Sequence, residues 1–197
     1  MKVVIRKFTD YYRKNELLDN DTIEKMEYTI ESFFNEFSKF LIFSLIFILL
    51  NKFTYFIFCY IAFVTLRVFS GGIHCSNYLN CFIISLLSFF IFIYFPEIIN
   101  FNSNILINIT VLSVLFPILF SPILPRIRKI KNSKVKLTLK ILSVISTLTW
   151  IVLCKYLIDI KYINSILLAI LIENTQLVFP VMKDYLRERR VKYEKNT

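Results

Sequence analysis

A chain of 197 residues that is 56% apolar and 17% aromatic, with only two glycines, does not have the composition of a water-soluble domain, where about 45–50% apolar residues, glycine included, is usual. Its 24 lysines and arginines against 14 acidic residues leave a net charge of +10. Those charges gather in a few segments between apolar blocks, which is a membrane-topology pattern, and no nucleic-acid partner is expected.

Residues 1–39 carry charges throughout and lack the basic start, apolar run and small-residue cleavage site of a secretory signal. Ile5, Phe8, Tyr12, Ile23, Met26, Ile30, Phe33 and Phe37 recur near helical spacing. The stretch reads as one or two amphipathic helices at the membrane surface, or as a solvated lead-in helix. Six apolar blocks follow, at 40–50, 53–66, 79–95, 105–120, 137–153 and 162–181. A hydrocarbon layer of ~30 Å takes about 20 helical residues to cross, so the first two blocks are short and the others suffice. The sequence predicts an all-α integral membrane protein with about six transmembrane helices. It is a single polytopic domain over 1–197, with an amphipathic cytoplasmic segment (1–39), a bundle (40–181) and a basic cytoplasmic tail (182–197).

Of the 24 basic residues, seven lie in 1–39, seven in 126–140 and six in 183–195, and Arg67 abuts the glycines. Only Lys52, Lys155 and Lys161 remain, so 21 of 24 can share one side. Basic loops stay in the cytoplasm, which implies an even number of crossings with both termini inside. Six crossings fit, with 40–66 as a tight hairpin. One tilted span there would give five and would push the basic N-terminus outside.

The chemistry concentrates in Ser70-Gly71-Gly72-Ile73-His74-Cys75-Ser76-Asn77-Tyr78-Leu79-Asn80-Cys81, which holds the one histidine and both glycines of the chain. Histidine and cysteine are the base and nucleophile of thiol catalysis. In one straight helix His74 and Cys81 would lie about 10 Å apart along the axis, too far for proton transfer. The glycine pair argues instead for a turn. Ser76 or Asn77 can then cap a helix beginning near Tyr78. Cys81 would fall in or just after its first turn, where the helix end favours an anion, and His74 in the preceding loop could fold back over it. The spacing alone leaves open an interfacial histidine and a space-filling cysteine. Cys75 is a rival nucleophile, but it adjoins the histidine and points elsewhere. His74, Cys75 and Cys81 lack the fourth ligand of a structural zinc site, and neither metal nor cofactor is expected. Cys59 and Cys154 sit in apolar runs as small buried hydrophobes, and cytoplasmic thiols stay reduced.

The pattern Arg67-x3-Gly71-Gly72-x-His74-x6-Cys81 at the entry to an apolar helix resembles the AgrB family, membrane-embedded cysteine endopeptidases of Gram-positive quorum sensing. The likeness runs along nearly the whole chain: a charged N-terminus, two apolar helices, a span ending at Pro122, a basic loop over 126–140 and a last span reading Leu171-Ile172-Glu173-Asn174-Thr175-Gln176-Leu177. Cys75 directly after the histidine, and few prolines among the loop's lysines, depart from the family pattern without touching the His74–Cys81 spacing. The resemblance implies a propeptide substrate of the AgrD type, with an amphipathic N-terminal helix, a cysteine-containing signal segment and an acidic tail. Cys81 would cleave it through a thioester with His74 as base, and the propeptide's own cysteine would close a thiolactone.

The same resemblance puts Arg126, Arg128, Lys129 and Lys131 against the acidic tail, although topology or anionic lipid would also account for them. Arg67 would stabilise the oxyanion or bind a substrate carboxylate, or else anchor its helix at the headgroups. Glu173, an ionisable residue inside an apolar span, either orients the imidazole or pairs with Asn174 and Gln176 in a structural network. The competing class is a transporter, exporter or scaffold for a small peptide, but few polar residues line the spans and a scaffold would leave His74 and Cys81 unexplained. A homodimer is left open.

Overall fold

The computed structural model describes residues 9, 11–13, 19–71, 77–99, 101–123 and 132–179. Among these, six long helices follow in order: α1 (Asn20–Leu49), α2 (Phe53–Ser70), α3 (Tyr78–Ile98), α4 (Ser103–Phe120), α5 (Ser133–Tyr156) and α6 (Ile160–Thr175). Each of the first five apolar blocks falls in one helix, and the sixth, 162–181, begins in α6 and runs past its end at Thr175. The first five are long and apolar enough to cross a membrane, and the protein is an all-helical integral membrane protein. The chain divides into two compact units, Met1–Asn51 and Lys52–Thr197.

In the first unit α1 starts at Asp19, whose side chain accepts from the backbone N–H of Thr22, satisfying one of the orphan donors of a helix start. It then runs 30 residues without interruption to Leu49, because no glycine or proline breaks it. The apolar block 40–50 is therefore the end of a long helix and not a short helix of its own. At about 45 Å, this helix exceeds the hydrocarbon thickness. Its outer part is held by Glu27, which accepts from Thr9 Oγ1 at 2.6 Å and pairs with Arg13 at 3.4 Å. Phe33, Phe37, Leu41, Leu45 and Ile48 form an exposed apolar stripe suited to lipid.

In the second unit the shortest helix is the central one. α6 has 16 residues and packs against α2, α3, α4 and α5. Ser165, Ala169 and Glu173 recur every fourth position on it, all buried. The small side chains of Ser165 and Ala169 let neighbouring backbones approach, which matters because lipid supplies no hydrophobic drive for helix association. α2 and α6 run parallel: Tyr55 meets Tyr162 edge-on at 4.7 Å where both begin, and Arg67 meets Glu173 where both end. Between α2 and α3 the rings of Phe56, Phe63, Phe89 and Phe92 interlock, with Phe56–Phe89 at 5.2 Å and Phe63–Phe89 at 5.6 Å. Lys52 pairs with Glu97 at the far end. That hydrogen bond holds the Lys52 ammonium above its ordinary pKa. Trp150 on α5 donates its indole N–H to Thr65 Oγ1 on α2 at 2.8 Å, which satisfies a polar group that lipid could not.

α6 is also fixed to α4 by a proline. Pro117 lies inside α4 and has no N–H, so the carbonyl four residues earlier loses its helical donor. That carbonyl belongs to Ser113, and the Asn174 amide donates to it at 2.7 Å. A gap in one helix is thus filled by a side chain of the next.

Candidate functional site

The site is built where α2 ends. Arg67 lies in its last turn, and the N–H of Gly71 donates to the Arg67 carbonyl at 3.1 Å, closing the helix. Gly71 then turns the chain at φ +80°, backbone that glycine adopts without strain. The turn is clasped from outside: the N–H of Ile123, just beyond α4, donates to the Ser70 carbonyl at 2.8 Å, and Gly71 and Ile123 form an isolated parallel bridge. A Cβ on Gly71 would stand 1.7 Å from the Ile123 carbonyl oxygen. Conformation and space both demand glycine here.

Gly72, His74 and Cys75 lie outside the described residues, as do Arg126, Arg128, Lys129 and Lys131. The chain is described again at Asn77, extended at φ −120° and ψ 138°, and α3 begins at Tyr78. Asn77 therefore holds the N-cap position, but the cap is its backbone: its carbonyl accepts from the N–H of Cys81 at 3.2 Å, and its side chain makes no capping bond. Cys81 is the fourth residue of α3 and half-buried, whereas Cys59 and Cys154 are sealed within the bundle. Of the three, Cys81 alone is open to a reactant.

The end of α6 completes this side of the molecule. Glu173, fully buried, faces Arg67 with Nη1 3.8 Å from Oε1, and the guanidinium lies over the Phe63 ring at 5.2 Å from its centroid. Two residues singled out separately in the sequence, Arg67 and Glu173, are brought together. Asn174 is not the partner of Glu173 suggested by their adjacency; its amide goes to the Ser113 carbonyl. The exposed Lys134 and Lys136 begin α5 on the same side. Asn132 caps that helix by accepting from the N–H of Lys134 at 2.9 Å.

The clasp at Ile123 and the pairing of Asn174 with Ser113 escaped sequence reasoning. For the second there was a signal: a proline inside an apolar span orphans a carbonyl, and an amide in another span is a donor to look for. The clasp leaves no such trace, because any residue but proline can offer a backbone N–H.

Compared with known proteins, residues 5–178 match the family model for accessory gene regulator B. The chain belongs to that family. An AgrB-like protein of Clostridium beijerinckii is 34% identical over 169 residues, covering 85% of this chain and 83% of that protein. No solved structure matches. AgrB membership ties this multi-pass membrane protein to peptide processing in accessory gene regulator quorum sensing. The Arg67, Gly71 and Cys81 positions all lie within the matched region.

Proposed function

We propose that this AgrB-family protein is a cysteine endopeptidase that cleaves a small quorum-sensing propeptide and promotes its closure to a thiolactone. The observation that carries the reading is Cys81: a partly exposed cysteine in the first turn of α3, ten residues after a turn that only glycine can make. His74, between the two in sequence, takes the thiol proton as the Cys81 sulfur adds to the scissile carbonyl. It returns that proton to the leaving amine as the C–N bond breaks and the acidic tail departs. The acyl-enzyme is a thioester. The thiol of the propeptide's own cysteine then adds to the same carbonyl and expels Cys81 as thiol, so one thioester replaces another at little cost. Forming the first from an amide is uphill, and the site must keep water from the acyl group until the ring closes.

The positive-inside pattern puts this site and both termini in the cytoplasm, where Arg126, Arg128, Lys129 and Lys131 hold the acidic tail of the substrate and anionic lipid stabilises the rim. The test is co-expression with the short open reading frame neighbouring the gene, followed by mass spectrometry of the peptide. Wild type yields a ring one water lighter than its linear segment, and Cys81→Ala yields uncut propeptide. Cleavage by Cys81→Ala would move the nucleophile elsewhere, to Cys75 first, whereas export of uncleaved peptide by wild type would replace this reading with a transporter or scaffold.

A further inference from the structure

We propose that Glu173 is a positioning residue of the peptidase site that acts through Arg67: its buried carboxylate fixes the guanidinium at the root of the Gly71 turn. The inference rests on the peptidase reading above and assigns a division of labour within it.

A carboxylate with no solvent exposure inside an apolar bundle requires a counter-charge. Among the described residues, Arg67 brings a cation within 3.8 Å of Glu173. Arg67 is held on a second side by the Phe63 ring at 5.2 Å, a cation–π contact, and its side chain remains 19% exposed. A guanidinium held by a carboxylate and a ring, and still partly exposed, has donors with which to meet an anion as well, whether a developing oxyanion or a carboxylate of the substrate.

Its backbone takes part as well, because the Arg67 carbonyl receives the Gly71 N–H and the neighbouring Ser70 carbonyl receives that of Ile123. Displacing Arg67 therefore disturbs the turn that leads to His74. Glu173 in its turn cannot drift, since Asn174 beside it is tied to α4 at 2.7 Å. Position passes from α4 to α6, from α6 to Arg67 and from Arg67 to the turn.

The experiment measures kcat and KM for propeptide cleavage in native membrane vesicles with full-length Glu173→Gln, Arg67→Gln and the double variant. Each single variant is expected to lose about a hundredfold in kcat/KM, as misplacement of a site group does, with the loss in the same parameter for both. The double variant is expected to be no worse than Arg67→Gln, because the two act as one. Wild-type activity in Glu173→Gln, losses in different parameters, or a double variant whose loss approaches the product of the singles would each overturn the proposal.

If Glu173→Gln fails to accumulate, the double variant, which removes both charges from the bundle, is compared with Arg67→Gln: equal rates support the proposal and a further loss overturns it. Cys81→Ala is measured alongside. Cleavage by that variant sinks the assignment of Cys81 on which the peptidase reading rests, whereas an inactive Cys81→Ala with any overturning result above sinks only the role of Glu173.

Discussion

At the scale of single residues, Gly71 carries the heaviest structural demand. Positive φ and a backbone carbonyl in the space of a Cβ act together, so alanine would have to move Ile123 as well as adopt strained backbone, at about 1–3 kcal/mol for the strain alone. Gly71→Ala is expected to insert at normal levels, since it leaves every apolar span intact, yet to lose at least about tenfold in cleavage. A variant with full activity would show that the turn can relax without consequence. Much of this site was legible in the sequence: the glycine turn, the helix start at Tyr78 and the place of Cys81 in the first turn all follow from local rules. Local rules could not name Ile123 or Ser113, because the first lies beyond α4 and the second is 61 residues from its partner Asn174. Which helix ends meet decides those contacts.

Elements show the same division. The helices were readable because long apolar runs alternate with charged segments. The fusion of the amphipathic N-terminal stretch with the first apolar block was not, because polarity changes near residue 40 while the backbone has no reason to break. The central place of α6 was equally hidden, since it is shorter and less apolar than α3 or α4, the reverse of what apolar content alone would put at a centre. What distinguishes it is the polar pair at its end. Asn174→Leu should destabilise the protein by about 1 kcal/mol, the usual yield of an interhelical hydrogen bond in a membrane protein. In a Pro117→Ala background the loss should shrink, because the restored N–H of residue 117 satisfies the Ser113 carbonyl from within α4. Thermal unfolding in mild detergent reads both values. Equal losses in the two backgrounds would mean that Asn174 acts by packing and not by filling the proline gap.

For the whole molecule, the charge pattern makes a statement about sidedness that labelling can check. In a chain stripped of its own cysteines, Ser103→Cys at the exposed start of α4 should react with a membrane-impermeant maleimide on intact cells. Ser133→Cys at the exposed start of α5 should react only after permeabilisation. The reverse pattern would place the Cys81 end of the bundle outside the cell and detach the basic loop from any cytoplasmic substrate.

The clasp at Gly71 also sets a schedule. Its three participants are made far apart in time: the turn emerges first, Ile123 some fifty residues later and Glu173 about a hundred residues later. A nascent chain that has threaded α2 and α3 into the bilayer already carries its histidine and cysteine, yet the turn that precedes them has neither its backbone partner nor the carboxylate that holds Arg67. The set is complete only when α6 settles against α2, α3, α4 and α5. On the proposed reading, a copy released early from the ribosome would carry the nucleophile without the clasped turn, and would be expected to leave the peptide uncut.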